Sequence, residues 1–382
     1  MSVLIKEVQN PPHFQLITTN AQLFEVCQQA QQKTVVALDT EFVRTRSFYP
    51  KLGLIQLYDG EQVSLIDPLE ISDFSPFIQL LSNQKVIKVL HACGEDLEVF
   101  QHYFQQLPTP MLDTQIMAAF LQHGSSIGFS TLLKHYFALE IDKGASRTNW
   151  LTRPLSKIQL HYAVADVWYL LPLFQRMQQA LAQTPWQSAV ENDCEILLEK
   201  YKQIKDSQNA YFSVSGAWKL NSQELMRLKL LAKWRQEEAI KRDLALNFVV
   251  RAEHLIAVAQ HNPKHISELL SMGLDPQEVR IHGKKILKIL EKAKIVAKHD
   301  YPVPILRVSN DPRYRIVIKL LQTKLQEITP QGLPTEVLSS KRMLDQLIKW
   351  CWIKQQDPND LPDLLCGWRR KYGLLLLEVL NF

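Results

Sequence analysis

Between residues 34 and 90 the apolar positions come in short runs. Residues 34–38 are β-branched and apolar. Residues 53–58 and 63–66 read as neighbouring strands joined through a turn at Asp59 and Gly60, and 86–90 is a further apolar run. The pattern predicts a mixed sheet with an antiparallel start. Around these runs the apolar spacing lengthens to that of helices, predicted over 20–32, 74–81, 95–104, 113–120, 130–137 and 155–179. Thr19 or Asn20, Ser130 and Ser156 (after Pro154) stand where N-caps belong, and Asp113 reads as the cap of the helix that it begins.

Beyond residue 189 the pattern is almost wholly helical. One amphipathic segment covers 189–205. Another covers 221–242, with Leu225, Leu228, Leu231 and Trp234 near helical spacing. Three prolines and no strong period at 301–312 mark a boundary, and a last helical module follows. The chain of 382 residues is therefore expected to hold an α/β domain over 1–205 and two all-α domains, over 211–298 and 299–382.

Charge sharpens this division. Residues 1–205 carry a balance of −4 and residues 206–382 a balance of +9, which together make the net +5. A basic half behind an acidic one suits a catalytic module joined to one that attracts polyanions, although lysines and arginines that only solubilise helices would give the same count. No run of eighteen apolar residues predicts a membrane span. The N-terminal residues do not read as a secretory signal, and the five scattered cysteines form no CxxC pair. A cytoplasmic protein with reduced thiols and no zinc site is expected.

Candidate chemistry lies in five residues. Asp39 and Glu41, in VVALDTEFVR, sit at a strand end with one residue between them, so both point to one face. Tyr162 and Asp166, in LHYAVADVWYL, are four apart on a predicted helix among alanines, Val167, Trp168, Leu170 and Leu171. Asp96, in KVLHACGEDLEVF, begins a helix, where it favours the helix dipole or serves a metal. Carboxylates in such apolar settings are costly unless a cation gathers them. Each motif alone is common, as a solvated strand end, a hydrogen-bonded core Asp or a first-turn carboxylate. His91 reads as a turn or core histidine.

Taken together and in order, these segments resemble the three motifs of the DEDD 3′–5′ exonucleases, and YxxxD matches the tyrosine-bearing branch. LDTEFVRTRSFYPKLGLIQL, LIDPL, LHACGEDLEVF, LDTQIMAAF and SRTNWLTRPLSKIQLHYAVADVWYLLPL extend the likeness to bacterial ribonuclease D over roughly 35–175. The resemblance implies an RNase-H-like mixed sheet with flanking helices. It also implies two divalent cations, Mg²⁺ or Mn²⁺. Asp39, Glu41 and Asp166 would hold one, and Asp39 would bridge to the second, with Asp96 supporting that side directly or through water. Tyrosine, with a free pKa of about 10, is a poor base at neutral pH, so Tyr162 is read as orienting the attacking water.

Several residues read as substrate contacts. Lys143, Arg147 and Trp150 form a basic loop with an aromatic, which either grips phosphate and stacks a base or is loop packing with a local ion pair. Arg44 and Arg46 follow the first acidic pair. Phe42 either wedges against a terminal base or packs in the core. Residues 228–292, with WRxxxAxxxD from Trp234 to Asp243, resemble an HRDC domain. There RIHGKKILKILEKAK places Arg280, Lys284, Lys285, Lys288, Lys292 and Lys294 by a predicted Gly turn, as a phosphate patch or a solvated face. The residues from 313 onward read as a second, diverged copy.

The expectation is a monomeric 3′–5′ exoribonuclease that trims precursor tRNAs bearing 3′ extensions and other structured RNAs, releasing 5′-mononucleotides. A DNA exonuclease shares the same acids. A nuclease-dead RNA-binding scaffold is disfavoured by intact acids at all four positions.

Overall fold

A computed structural model describes residues 13–141, 144–203 and 206–380. They divide into two compact units. The first combines the residues up to Val43 with Pro50–Gln203 and those from Arg315 onward; the second combines Arg44–Tyr49 with the helices up to Tyr314.

The first unit is built on a mixed sheet. Its strands are β1 (Phe14–Ile17), β2 (Val35–Val43), β3 (Lys51–Tyr58), β4 (Val63–Ile66), β5 (Ile87–Leu90) and β6 (Met111–Asp113). Their order across the sheet is β1-β4-β3-β2-β5-β6. The β2–β3 and β3–β4 pairs are antiparallel, and β1–β4, β2–β5 and β5–β6 are parallel. The mixed α/β architecture expected from the sequence is present. Two edge strands, β1 and β6, had no predicted counterpart; at four and three residues they are too short to show a period.

Helices α1 (Asn20–Ala30), α2 (Ser75–Ser82), α3 (Gly94–Phe104), α4 (Thr114–Phe120) and α5 (Phe129–Phe137) are followed by α6 (Lys157–Trp168), α7 (Leu170–Leu181) and α8 (Gln187–Lys202). The predicted single helix over 155–179 is two, parted at Tyr169. Pro172 explains the break, since it has no N–H to return to the Trp168 carbonyl. Thr19 caps α1 by accepting from the Gln22 N–H. Ser130 does not cap α5, which starts a residue earlier behind Gly128. Ser156 caps α6 through a reciprocal capping box with Gln159.

The C-terminal helices of the first unit include α14 (Tyr314–Ile328, whose first residue ends the second unit), α15 (Thr335–Leu338), α16 (Lys341–Trp352) and α17 (Arg370–Leu380). Just ahead of α17, Arg369 forms an ion pair with Asp193 of α8 and donates to the Leu338 and Val337 carbonyls. The Trp368 ring lies 5.5 Å from Phe120 and 5.9 Å from Trp186.

The second unit holds α9 (Ser222–Arg242), α10 (Leu246–Val249), α11 (Ala252–His261), α12 (Ile266–Ser271) and α13 (Pro276–Lys294). Leu225, Leu228, Leu231 and Trp234 of α9 enter its core with Leu255, Leu269, Ile286 and Leu290. The expected Gly turn within RIHGKKILKILEKAK is absent: Gly283 lies inside α13. Its missing side chain allows close packing there, since a Cβ would stand 3.2 Å from Val279 Cγ1 and 3.5 Å from Leu269 Cδ1. The segment Arg44–Tyr49 is held in this unit by the Asp243 carboxylate, which accepts from the N–H groups of Phe48 and Tyr49 at 3.1 Å each.

Candidate active site

Three elements of the first unit supply the acids. Alternation along β2 puts Asp39 and Glu41 on one face and Thr40 on the other. Asp96 stands in the first turn of α3. Helix α6 lies over β2, β3 and β4 and carries Tyr162 and Asp166 one turn apart. One carboxylate oxygen each from Asp39, Glu41 and Asp166 falls within a span of 4.8 Å. Residues 127 positions apart in sequence thus share a site that neither motif alone defines.

Several residues outside the predicted set hold this arrangement. Thr40, between the two strand acids, donates its hydroxyl to Asp96 Oδ1. Asp113 caps α4 as expected, and it also accepts from the N–H groups of Ala92 and Cys93, fixing the turn that leads into α3. Gly53 is the extra residue of a bulge opposite Glu41 and Phe42. The main chain of Trp150 packs against it so closely that a Cβ would lie 2.7 Å from the Trp150 Cβ and carbonyl oxygen. Arg153 locks the same segment, donating to the Gly53 carbonyl at 2.7 Å and pairing with buried Asp67 through Nε at 2.5 Å. The signals for these were present but local in nature: a Thr between two acids, a Gly in a strand, an isolated Arg and an isolated Asp.

The predicted substrate contacts are spread more widely. Trp150 is fully buried and its ring centroid lies 6.1 Å from that of Tyr162. With no ring face in solvent, its place is under Tyr162; the reading as a stacking platform for a base gives way to loop packing. Phe42 is half-buried beside Glu41, and Arg147 is exposed. Lys143 lies outside the described residues. Arg44 and Arg46 are exposed and belong to the second unit, where the Arg46 guanidinium lies over Phe248. Lys284 and Lys285 are exposed on α13 of that unit.

The electrostatics of the acidic cluster are those of crowded like charges, with Glu41 and Asp96 buried and Asp39 and Asp166 half-buried. Burial first, and then the neighbouring carboxylates of Asp39, Asp166 and Asp96, push Glu41 up to about 10. Asp166 is pushed up to about 8 by burial, while a hydrogen bond from the Tyr162 hydroxyl pulls the other way. Asp39 is raised by burial and by Asp166, and Asp96 by burial and by Asp39. Asp166 Oδ2 is buried with no hydrogen-bond partner. Burial, and then the facing acids, raise the Tyr162 phenol above its ordinary value, so it stays a donor at neutral pH. Such a set holds its protons at neutral pH unless a cation takes their place. Its ligands are all carboxylate oxygens, which suit Mg²⁺ or Mn²⁺.

Comparison with known proteins agrees with this geometry. Residues 14–182 match the family described as 3′–5′ exonuclease, 224–290 match the HRDC domain, and 312–375 match the C-terminal HRDC domain of ribonuclease D. The ribonuclease D of Haemophilus influenzae is 55% identical over 380 residues, covering 99% of this chain and 95% of that protein. The chain belongs to the ribonuclease D family. The Escherichia coli ribonuclease D is 42% identical, over 97% of this chain and 98% of its own. The crystal structure of that enzyme, described as an exoribonuclease involved in structured RNA processing, superposes with a TM-score of 0.93 at 41% identity, covering 97% of this chain and 99% of that one. As a ribonuclease D, the chain is a metal-dependent exoribonuclease, a hydrolase whose exonuclease fold is followed by helical HRDC domains. No described helix is long and apolar enough to cross a membrane.

Proposed function

We propose that this enzyme trims the 3′ ends of structured RNAs, precursor tRNAs with 3′ extensions above all, and releases 5′-mononucleotides. The observation that carries this reading is the triad of Asp39, Glu41 and Asp166 within 4.8 Å, beside Asp96 and Tyr162, in a ribonuclease D chain. The structured RNA named for the Escherichia coli relative supports the substrate class. Asp39, Glu41 and Asp166 would hold one divalent cation, and Asp39 with Asp96 a second. When bound, such cations would lower the pKa of a water and stabilise charge on the attacking and leaving oxygens.

The chain's own residues do the rest. The Tyr162 hydroxyl, donating to Asp166 and supported from below by Trp150, orients the water. Thr40 holds Asp96 in place. Phe42, Arg44, Arg147, Lys284 and Lys285 are the proposed contacts to the RNA chain, the two lysines within the domain proposed over 211–298, followed by one over 299–382 and preceded by the exonuclease domain over 1–205. The enzyme works as a cytoplasmic monomer in this reading.

The test is direct. A 3′-extended tRNA and a DNA strand of matching sequence are incubated with the enzyme and Mg²⁺ or Mn²⁺, and the products identified. Mononucleotides released from the RNA 3′ end, abolished by Asp39→Asn with binding retained, are expected. Unchanged hydrolysis by Asp39→Asn would refute the cation assignment, and equal trimming of the DNA would refute the RNA assignment.

A further inference from the structure

Gln56 occupies the middle of β3 and is completely buried, yet neither its Nε2 nor its Oε1 has a hydrogen-bond partner. Among the described residues no other buried side chain leaves two polar atoms unpaired. A dry, unpaired amide is costly, and Leu or Met would fill the same volume without that cost. Its position is particular. In the antiparallel ladder Gln56 stands directly opposite Asp39, as Leu54 stands opposite Glu41. Opposed residues share a face of the sheet, with Cβ atoms about 4.5–5.5 Å apart. The face that bears the acids therefore bears the amide too, under the helix that brings Tyr162 and Asp166.

The chemistry of the neighbours narrows the role. Once ionised, Asp39, Glu41 and Asp166 can only accept hydrogen bonds, and Asp166 Oδ2 is unpaired as well. A Lys or Arg opposite Asp39 would supply a donor but would also neutralise the acids and repel a cation. An amide supplies N–H groups without charge. We propose that Gln56 is a positioning residue for the acidic cluster: its Nε2–H donates to the Asp39 carboxylate, directly or through one buried water, and so fixes the orientation in which Asp39 meets a divalent cation. This rests on the reading of the acids as a cation site.

Gln56→Met and Gln56→Leu keep the volume and remove the amide. Each is compared with wild type and Asp39→Asn by calorimetric titration of the chelator-treated protein with Mn²⁺, by melting temperature without metal, and by kcat and KM on a short RNA. The expected result is a metal-free melting temperature equal to or above that of wild type, Mn²⁺ affinity lower by about tenfold, and kcat lower by about 10–100-fold with KM within twofold, the range for groups that orient metal ligands. Unchanged Mn²⁺ affinity and kcat in both variants, with Asp39→Asn impaired, would overturn the role of Gln56 alone. A drop in metal-free melting temperature in both would make Gln56 a structural hydrogen-bonding residue and overturn it too. No Mn²⁺ binding by wild type, or undiminished binding by Asp39→Asn, would instead remove the cation reading beneath it.

Discussion

Thr40 and Asp96, 56 residues apart, are joined by a hydrogen bond from the threonine hydroxyl to the aspartate Oδ1. One tripeptide therefore serves two purposes: Asp39 and Glu41 face helix α6, while the residue between them reaches the acid from α3. Asp96 is buried, and this hydroxyl opposes the rise in its pKa that burial causes. Thr40→Val keeps the shape and removes the donor. Activity titrated with Mg²⁺ is expected to need about tenfold more metal for half-saturation, with normal behaviour restored by Thr40→Ser. A wild-type titration curve for the valine variant would show that Asp96 needs no such anchor.

Gly53 tests the other side of the site. A methyl group there would meet the main chain of Trp150, which cannot swing aside as a flexible side chain could. Gly53→Ala is expected to lose about 1–3 kcal/mol in urea unfolding, the usual range for overpacking. Because Trp150 lies under Tyr162, kcat is expected to fall as well, while Gly128→Ala, where a Cβ meets nothing within 4 Å and the backbone is extended, should leave kcat unchanged.

The raised carboxylates set a pH dependence of opposite sign to ordinary acid denaturation. Glu41 at about 10 and Asp166 at about 8 lie above the unfolded value of roughly 4. Between those limits the metal-free folded state binds more protons than the unfolded chain. Their contribution to stability is fully present below about pH 4 and is lost as the pH rises through about 8 and then 10. Melting of chelator-treated enzyme across pH 5–9 should show this decline, and Asp166→Asn should flatten it. Metal affinity should rise over the same range, since binding displaces the protons.

Lys284 and Lys285 carry the electrostatic side of the proposal. Both are exposed on α13, within the half of the chain whose balance is +9. If each meets a phosphate, replacing both with Ala should reduce the slope of log Kd against log salt by about 1.5 for a tRNA-like ligand. Turnover of a very short single strand should be unaffected. An unchanged slope would leave these lysines as a solvated helix face.

The legible part of the fold was the part with local periodicity. The strands now called β2 to β5, most helices, and the caps at Thr19, Ser156 and Asp113 follow from alternation, helical spacing and turn chemistry. The edge strands β1 and β6, the break at Tyr169 and the helical Gly283 did not, because each depends on a partner strand, one missing N–H or a packing neighbour rather than on its own sequence pattern.

For the site, sequence alone determined which acids stand where a carboxylate is expensive, and through their order it determined the family. Tertiary structure decided which of them share a space, since residues 127 apart come within 4.8 Å only when α6 lies across β2. It also decided that Trp150 supports Tyr162 from inside, and that Thr40, Gly53 and Gln56 belong to the same device. These three are ordinary strand residues until their partners arrive. A hydroxyl, a missing Cβ and an unpaired amide acquire meaning only from what the fold places opposite them.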